Sequence, residues 1–176
     1  SEKLSAKKIL VATGSTPIEL GDFPVDGKKV LTSNDALMLE ELPKKMIILG
    51  GGYIGCEFAY IMNAFGIEVV VVEMLDQLLP MEDEEVASHL AKTFKKRGVE
   101  IYTGTKAIGT KNESSGISVS LESKDGKKTT EKADQLLVVV GRRPVTEGVG
   151  LDTVGIETDK KGFIPIGDYY QTSVES

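Results

Sequence analysis

The stretch Met46-Ile47-Ile48-Leu49-Gly50-Gly51-Gly52-Tyr53-Ile54-Gly55 constrains this chain more than any other, because an apolar run of strand length passes through three consecutive glycines straight into a helical pattern. Ile54, Phe58, Ile61, Met62 and Phe65 recur at helical spacing, so a strand feeds a helix through a glycine turn. The glycines satisfy G-x-G-x-x-G, which alone is a weak signal. Its context makes it specific. Val69 to Val72 is a β-branched run without alternation, as in a strand covered on both faces, and it ends on an acid, Glu73, about 20 residues after Gly52. Strand, turn, helix and acid in that order form a dinucleotide-binding fingerprint.

Each position has a physical reason. Gly50 permits the tight turn, Gly52 lets the backbone approach a pyrophosphate, and Gly55 lets the helix pack closely on the strand; free N–H groups at the helix start then hold the phosphates. A glycine turn that binds nothing needs no acid at the end of the next strand. Glu73 also selects the nucleotide. A carboxylate there accepts hydrogen bonds from both ribose hydroxyls of NAD, whereas the 2′-phosphate of NADP meets like charge at a cost of about 4 kcal/mol at 4 Å and an effective dielectric near 20. No Lys or Arg lies between Lys45 and Lys92 to receive that phosphate. The sequence therefore predicts NAD(H) over NADP(H).

From Met46 onward the chain alternates strand-length apolar runs with amphipathic stretches, the pattern of βαβ units on a parallel sheet. The fold class expected is α/β: a Rossmann-like parallel sheet with an antiparallel β-meander excursion. A second helix is expected from about Asp83 to Arg97, with Val86, Leu90 and Phe94 as its apolar stripe. Glu82 to Glu85 crowd its first turn, Lys95 to Arg97 its last, and Gly98 caps it. Val99 to Tyr102 gives a third strand. Ile117 to Leu121 alternates, Asp125-Gly126 marks a turn and Lys128 to Ala133 is polar, which together predict two or three antiparallel strands. Leu136 to Val140 is a last buried strand ending at Gly141. Ile9 to Ala12 followed by Gly14 and Pro17 repeats the device of Leu136 to Val140 followed by Gly141 and Pro144, so two strand exits bracket the core. The glycine-rich segment after Pro144 reads as an extended connection.

With 21 Lys and Arg against 27 Asp and Glu, the net charge is −6, which disfavours nucleic acid and anionic membranes as partners. No apolar run reaches the roughly 20 residues of a membrane span and no leader pattern opens the chain, so a cytoplasmic location is the default expectation. The one cysteine, Cys56, and the one histidine, His89, supply neither an internal disulfide nor a four-ligand zinc site. No metal is expected. Cys56 reads as a small buried residue and His89 as a solvated one. Glu57, in the first helical turn, either complements the helix dipole or contacts a cofactor.

The string Leu42-Pro43-Lys44-Lys45-Met46 through Gly55-Cys56-Glu57 resembles the NAD domain of the FAD-dependent pyridine nucleotide-disulfide oxidoreductases, and within them the dihydrolipoamide dehydrogenase branch. Ala12-Thr13-Gly14-Ser15, the Val-Val-Glu and Leu-Leu-Pro of Gly66 to Asp83, Val140-Gly141-Arg142-Arg143-Pro144 and Gly162-Phe163-Ile164 extend the resemblance across the chain. It implies that Gly50, Gly51, Gly52, Tyr53, Ile54, Gly55 and Glu57 line the dinucleotide, with Glu57 near the nicotinamide. Glu73 would hold the adenosine ribose, Ala107 would lie beside the adenine and Gly141 near the nicotinamide end. Thr13, Gly14 and Ser15 resemble a hinge segment that touches FAD in the complete enzyme. On this basis residues 1–35 are a hinge segment from the FAD-domain side, 36–145 the NAD(H)-binding domain and 146–176 a return connection.

The family's first glycine motif for FAD, its paired redox cysteines, its late Gly-Asp flavin contact and its C-terminal His-Glu pair have no counterpart here; Gly167-Asp168 precedes the segment that comes before that flavin contact. The expectation is an excised middle portion that binds NAD(H) without catalysing. In the whole enzyme the resemblance implies FAD, a homodimer and a lipoyl-bearing partner from a 2-oxo acid dehydrogenase or glycine cleavage system. The alternatives are the same domain of another flavin disulfide reductase or NADH oxidase, or a stand-alone NAD(H)-sensing module.

Overall fold

Unbroken apolar runs of strand length must be covered on both faces, and the two around the glycine turn, residues 46–49 and 69–72, occupy the middle of a five-stranded parallel sheet. The computed structural model describes residues 4–175; the ends of the expected hinge segment and return connection, residues 1–3 and 176, lie outside them. In chain order the elements are β1 (Ser15–Pro17), β2 (Val30–Leu31), α1 (Ser33–Ala36), β3 (Lys45–Leu49), α2 (Tyr53–Ala64), β4 (Glu68–Val72), α3 (Glu84–Lys96), β5 (Glu100–Tyr102), β6 (Thr105–Asn112), β7 (Ile117–Ser123), β8 (Lys128–Ala133), β9 (Gln135–Val138) and β10 (Arg142–Pro144). They fall into two compact units, Pro17–Gly141 and a terminal unit of Ser1–Thr16 with Arg142–Ser176.

The first unit carries the parallel sheet, in the order β2-β9-β3-β4-β5, and the antiparallel sheet β6-β7-β8. Alternate residues of each central strand face opposite layers. Met46, Ile48, Val69 and Val71 pack with Phe58, Ala59 and Met62 of α2 and Phe94 of α3. Ile47, Val70 and Leu136 face the other way, against Ile117, Val119 and Leu121 of β7. All are nearly or fully buried, and each contributes about 1.5–3 kcal/mol by leaving water. The excursion is thus the second layer that lets β3 and β4 be apolar on both faces.

α3 begins and ends where its charges predict. Asp83 caps it, its carboxylate accepting from the N–H groups of Glu85 and Val86, and Gly98 follows at φ +85. The apolar stripe is rotated from the expected one: Ala87 and Phe94 are buried with Leu90 and Ala91 beside them, while Val86 is 57% exposed. At 3.6 residues per turn Val86 lies about 90° from the middle of that face. On α2, Ile61 and Phe65 are likewise exposed, and the inward face is Gly55, Cys56, Phe58, Ala59 and Met62.

Residues 17–35 join the sheet unit, because β2 pairs in parallel with β9 and Phe23 is buried. Asp26 holds the approach to β2, its Oδ1 accepting from the N–H groups of Lys28, Lys29 and Val30 at 2.8–2.9 Å. In the terminal unit, Ile9 to Ala12 is not a strand, and Ile9 and Leu10 are exposed. The pairing comes after each glycine, between β1 and β10, where Arg142 donates to the Oγ and carbonyl of Ser15.

Candidate functional site at the glycine turn

The chain steps from β3 through α2 to β4 and through α3 to β5 on one side, then returns along β9 to the opposite flank of β3. The order therefore reverses at β3, and in such sheets the crevice beyond the carboxyl ends at the reversal is where ligands bind. The glycine turn lies there. Gly50 N–H donates to the Val72 carbonyl and Val139 N–H to the Leu49 carbonyl, which fixes the turn on the ends of β3, β4 and β9.

The four glycines have different duties. Gly50 sits at φ +114, and a Cβ there would come within 2.5 Å of the Val139 carbonyl oxygen. A Cβ on Gly55 would lie 1.9 Å from the carbonyl oxygen of Gly50, so α2 can start over β3 only without a side chain at that position. On Gly51 it would meet Leu78 at 2.6 Å. Gly52 differs: its φ of −75° and ψ of −168° suit any residue, and a Cβ would find nothing within 4 Å. Packing inside the chain does not require glycine at position 52. Gly52 is also the N-cap of α2 and offers no side chain to satisfy the amides of the first turn.

Glu73 is 8% exposed at the end of β4. Its Oε2 accepts from Gly51 N–H at 2.6 Å and its Oε1 from Leu75 N–H at 2.8 Å. Two of roughly four acceptor positions are used and the others remain. Its backbone is pinned as well, donating to Tyr102 and accepting from Thr105 N–H. The carboxylate is therefore a structural clamp on the glycine turn, a duty the sequence pattern did not disclose. Cys56 is buried beneath, its Sγ 3.4 Å from the Gly51 carbonyl. Burial, then Glu73 and Glu57, push its thiol pKa up to about 11, so it stays protonated and can donate.

Tyr53 is half exposed, and its hydroxyl donates to Glu82 at 2.6 Å. Ile54 is partly buried on the same turn. Glu57 is exposed and stands beyond the first turn of α2, which contains no acid, so the dipole explanation for it falls away. Ala107 is buried on β6, paired with Leu121 of β7 and two residues from the Thr105 amide that binds the Glu73 carbonyl. Gly141, at φ +142, lies just beyond β9 on the same sheet edge as the turn, its carbonyl accepting from Ile18 N–H. Thr13, Gly14 and Ser15 belong to the terminal unit, where Val145 N–H donates to the Gly14 carbonyl. His89 is exposed on α3.

Sequence reasoning used the loop between β4 and α3 only for the resemblance carried by its Leu-Leu-Pro and gave it no part in the site. Leu78 is 1% exposed against Gly51, and Leu79 N–H donates to the Gly51 carbonyl at 2.8 Å. Leu79 has φ +48, unmarked in the sequence by glycine or asparagine.

Comparison with known proteins agrees across the chain. The family described as pyridine nucleotide-disulphide oxidoreductase matches residues 1–176. A dihydrolipoamide dehydrogenase of Chaetomium thermophilum is 40% identical over 98% of this chain and 34% of its own length. A dihydrolipoyl dehydrogenase of Bacillus subtilis is 39% identical over 98% of this chain and 36% of its own. The chain thus spans about a third of the length of these relatives. Among solved structures, LpdA of Mycobacterium tuberculosis aligns with a TM-score of 0.81 at 30% identity, covering 92% of this chain and 34% of that one. The HOCl-induced flavoprotein disulfide reductase RclA of Escherichia coli aligns at 0.78 with 29% identity, covering 92% and 36%.

Proposed function

Because this chain belongs to the pyridine nucleotide-disulphide oxidoreductase family, we propose that its Pro17–Gly141 unit binds NAD(H) for a flavoprotein dihydrolipoamide dehydrogenase. The observation that carries this reading is Gly52: a glycine that the protein's own packing does not require, at an uncapped helix start, one residue from a clamped carboxylate. An open cradle of that kind suits a diphosphate, which the backbone amides and the helix dipole attract together. The spare acceptor positions of Glu73 suit the ribose hydroxyls, and its charge opposes a 2′-phosphate.

NAD+ when bound supplies the hydride acceptor for electrons that reach it from lipoyl groups through a disulfide and FAD. This chain's part is binding and orientation: amides from Gly52 to Gly55 on the diphosphate, Glu73 on the adenosine side, and Tyr53, Glu57 and Gly141 toward the nicotinamide. With one cysteine, buried and protonated, it turns nothing over alone. The lipoyl-bearing partner, the homodimer and a cytoplasmic location belong to the proposed whole enzyme. The RclA likeness supports a second reading, the same unit in another flavin disulfide reductase.

Isothermal titration tests the reading: NADH should bind and NADPH should bind more weakly. Equal affinities defeat the Glu73 assignment. Added FAD and dihydrolipoamide should yield no NADH above a blank.

A further inference from the structure

A trans peptide holds its C=O and N–H in one plane and pointing in opposite directions, so fixing one fixes the other. The peptide joining Gly51 to Gly52 has its carbonyl turned into the protein, where it accepts from Leu79 N–H at 2.8 Å and from the Cys56 thiol at 3.4 Å. Its N–H, on Gly52, must therefore point outward. Among the described residues no acceptor meets that N–H, and the place a Cβ of Gly52 would take has nothing within 4 Å of it.

The donor that sets this orientation is in an unusual backbone state. Leu79 has φ +48, which costs a branched residue free energy, and Pro80 behind it favours an extended residue 79 instead. Its neighbours hold it there: the Leu79 carbonyl accepts from Glu82 N–H at 2.9 Å and from Gln77 Nε2, and Leu78 is buried against Gly51. Glu73 secures the preceding peptide through Gly51 N–H, so the loop after β4 grips both peptide groups of Gly51.

We propose that Leu79 is a positioning residue for the nucleotide site: its left-handed backbone turns the Gly51–Gly52 peptide so that Gly52 N–H faces the diphosphate. This rests on the NAD(H) reading and adds a place, outside the glycine motif, on which affinity depends. The protonated state of Cys56 serves the same carbonyl as a weaker second donor.

The test replaces the Leu79 amide by an ester in the full chain, using the α-hydroxy analogue of leucine, which deletes one donor and keeps the side chain. NADH should bind roughly tenfold more weakly, the effect of one lost hydrogen bond. In 15N spectra the Gly52 amide should shift in the ligand-free ester chain, and its response to NADH should shrink while amides of β3 and β4 stay in place, which a general loosening of the fold would not leave undisturbed. An ester chain with unchanged affinity and an unchanged Gly52 amide overturns the inference alone. Failure of the unmodified chain to bind NADH overturns the nucleotide reading and the inference with it.

Discussion

In the sheet unit Ile47, Val70 and Leu136 are wholly buried between two packed layers, whereas in the terminal unit Ile9, Leu10, Tyr169 and Tyr170 are 76–89% exposed. The same residue types end in opposite surroundings because burial depends on partners. β3 has β4 and β9 beside it, helices over one face and β7 over the other, while Ile9 to Ala12 has no assigned strand partner among the described residues. Turns follow the same division. Asp26 and Asp159 both accept backbone N–H groups at the head of a turn, but only Asp26 leads into a strand of the five-stranded sheet. An apolar run becomes a strand where other elements cover it.

The sharpest break of this comparison comes from Gly55→Val. With the Gly50 carbonyl 1.9 Å from any Cβ, α2 must lift from β3, and the sheet unit should lose roughly 3 kcal/mol or more, read as a large fall in Tm. Gly52→Ala is its counterpart: stability should stay within about 0.5 kcal/mol while NADH affinity falls. Glu73→Ala comes next. It strips acceptors from the Gly51 and Leu75 amides and should cost about 3 kcal/mol in urea unfolding, together with the preference for NADH.

Asp26→Ala should cost about 1 kcal/mol at neutral pH, since the group is largely exposed. Burial pushes the Asp26 pKa up, but the Val30, Lys28 and Lys29 amides outweigh it and hold the carboxyl below its ordinary 3.8. A depressed acid stabilises the fold above the unfolded value, and that contribution is lost as pH falls through the folded one. The gap between wild type and variant should therefore narrow below pH 3.8, and a constant gap would reject this role. The smallest effect is expected for Leu10→Ser, within about 0.5 kcal/mol, because Leu10 is already 89% exposed.

Much of the fold was legible because the relevant signals are local. A continuous β-branched run, three glycines in register with a helix, acids and bases at the ends of α3 and an Asp-Gly turn each act over a few residues. The short strand β2 was not legible, since two residues carry no period and its place is set by β9. The face of α3 was misjudged at Val86 because a spacing of four drifts about 40° per step and cannot say which side meets the sheet. At the site, the sequence singled out the glycine motif and Glu73, and the structure brings Gly51 and Glu73 together. The clamp from Glu73 to Gly51 and the left-handed Leu79 were not legible, because both arise when distant backbone groups meet and neither leaves a residue-type signature.

A crystal of this chain soaked with NADH bears most directly on the account. The diphosphate should lie within hydrogen-bond distance of the amides of Gly52 to Gly55, with the adenosine ribose on the carboxylate of Glu73. A dinucleotide seated elsewhere, or a turn whose amides touch no phosphate at saturation, would contradict it.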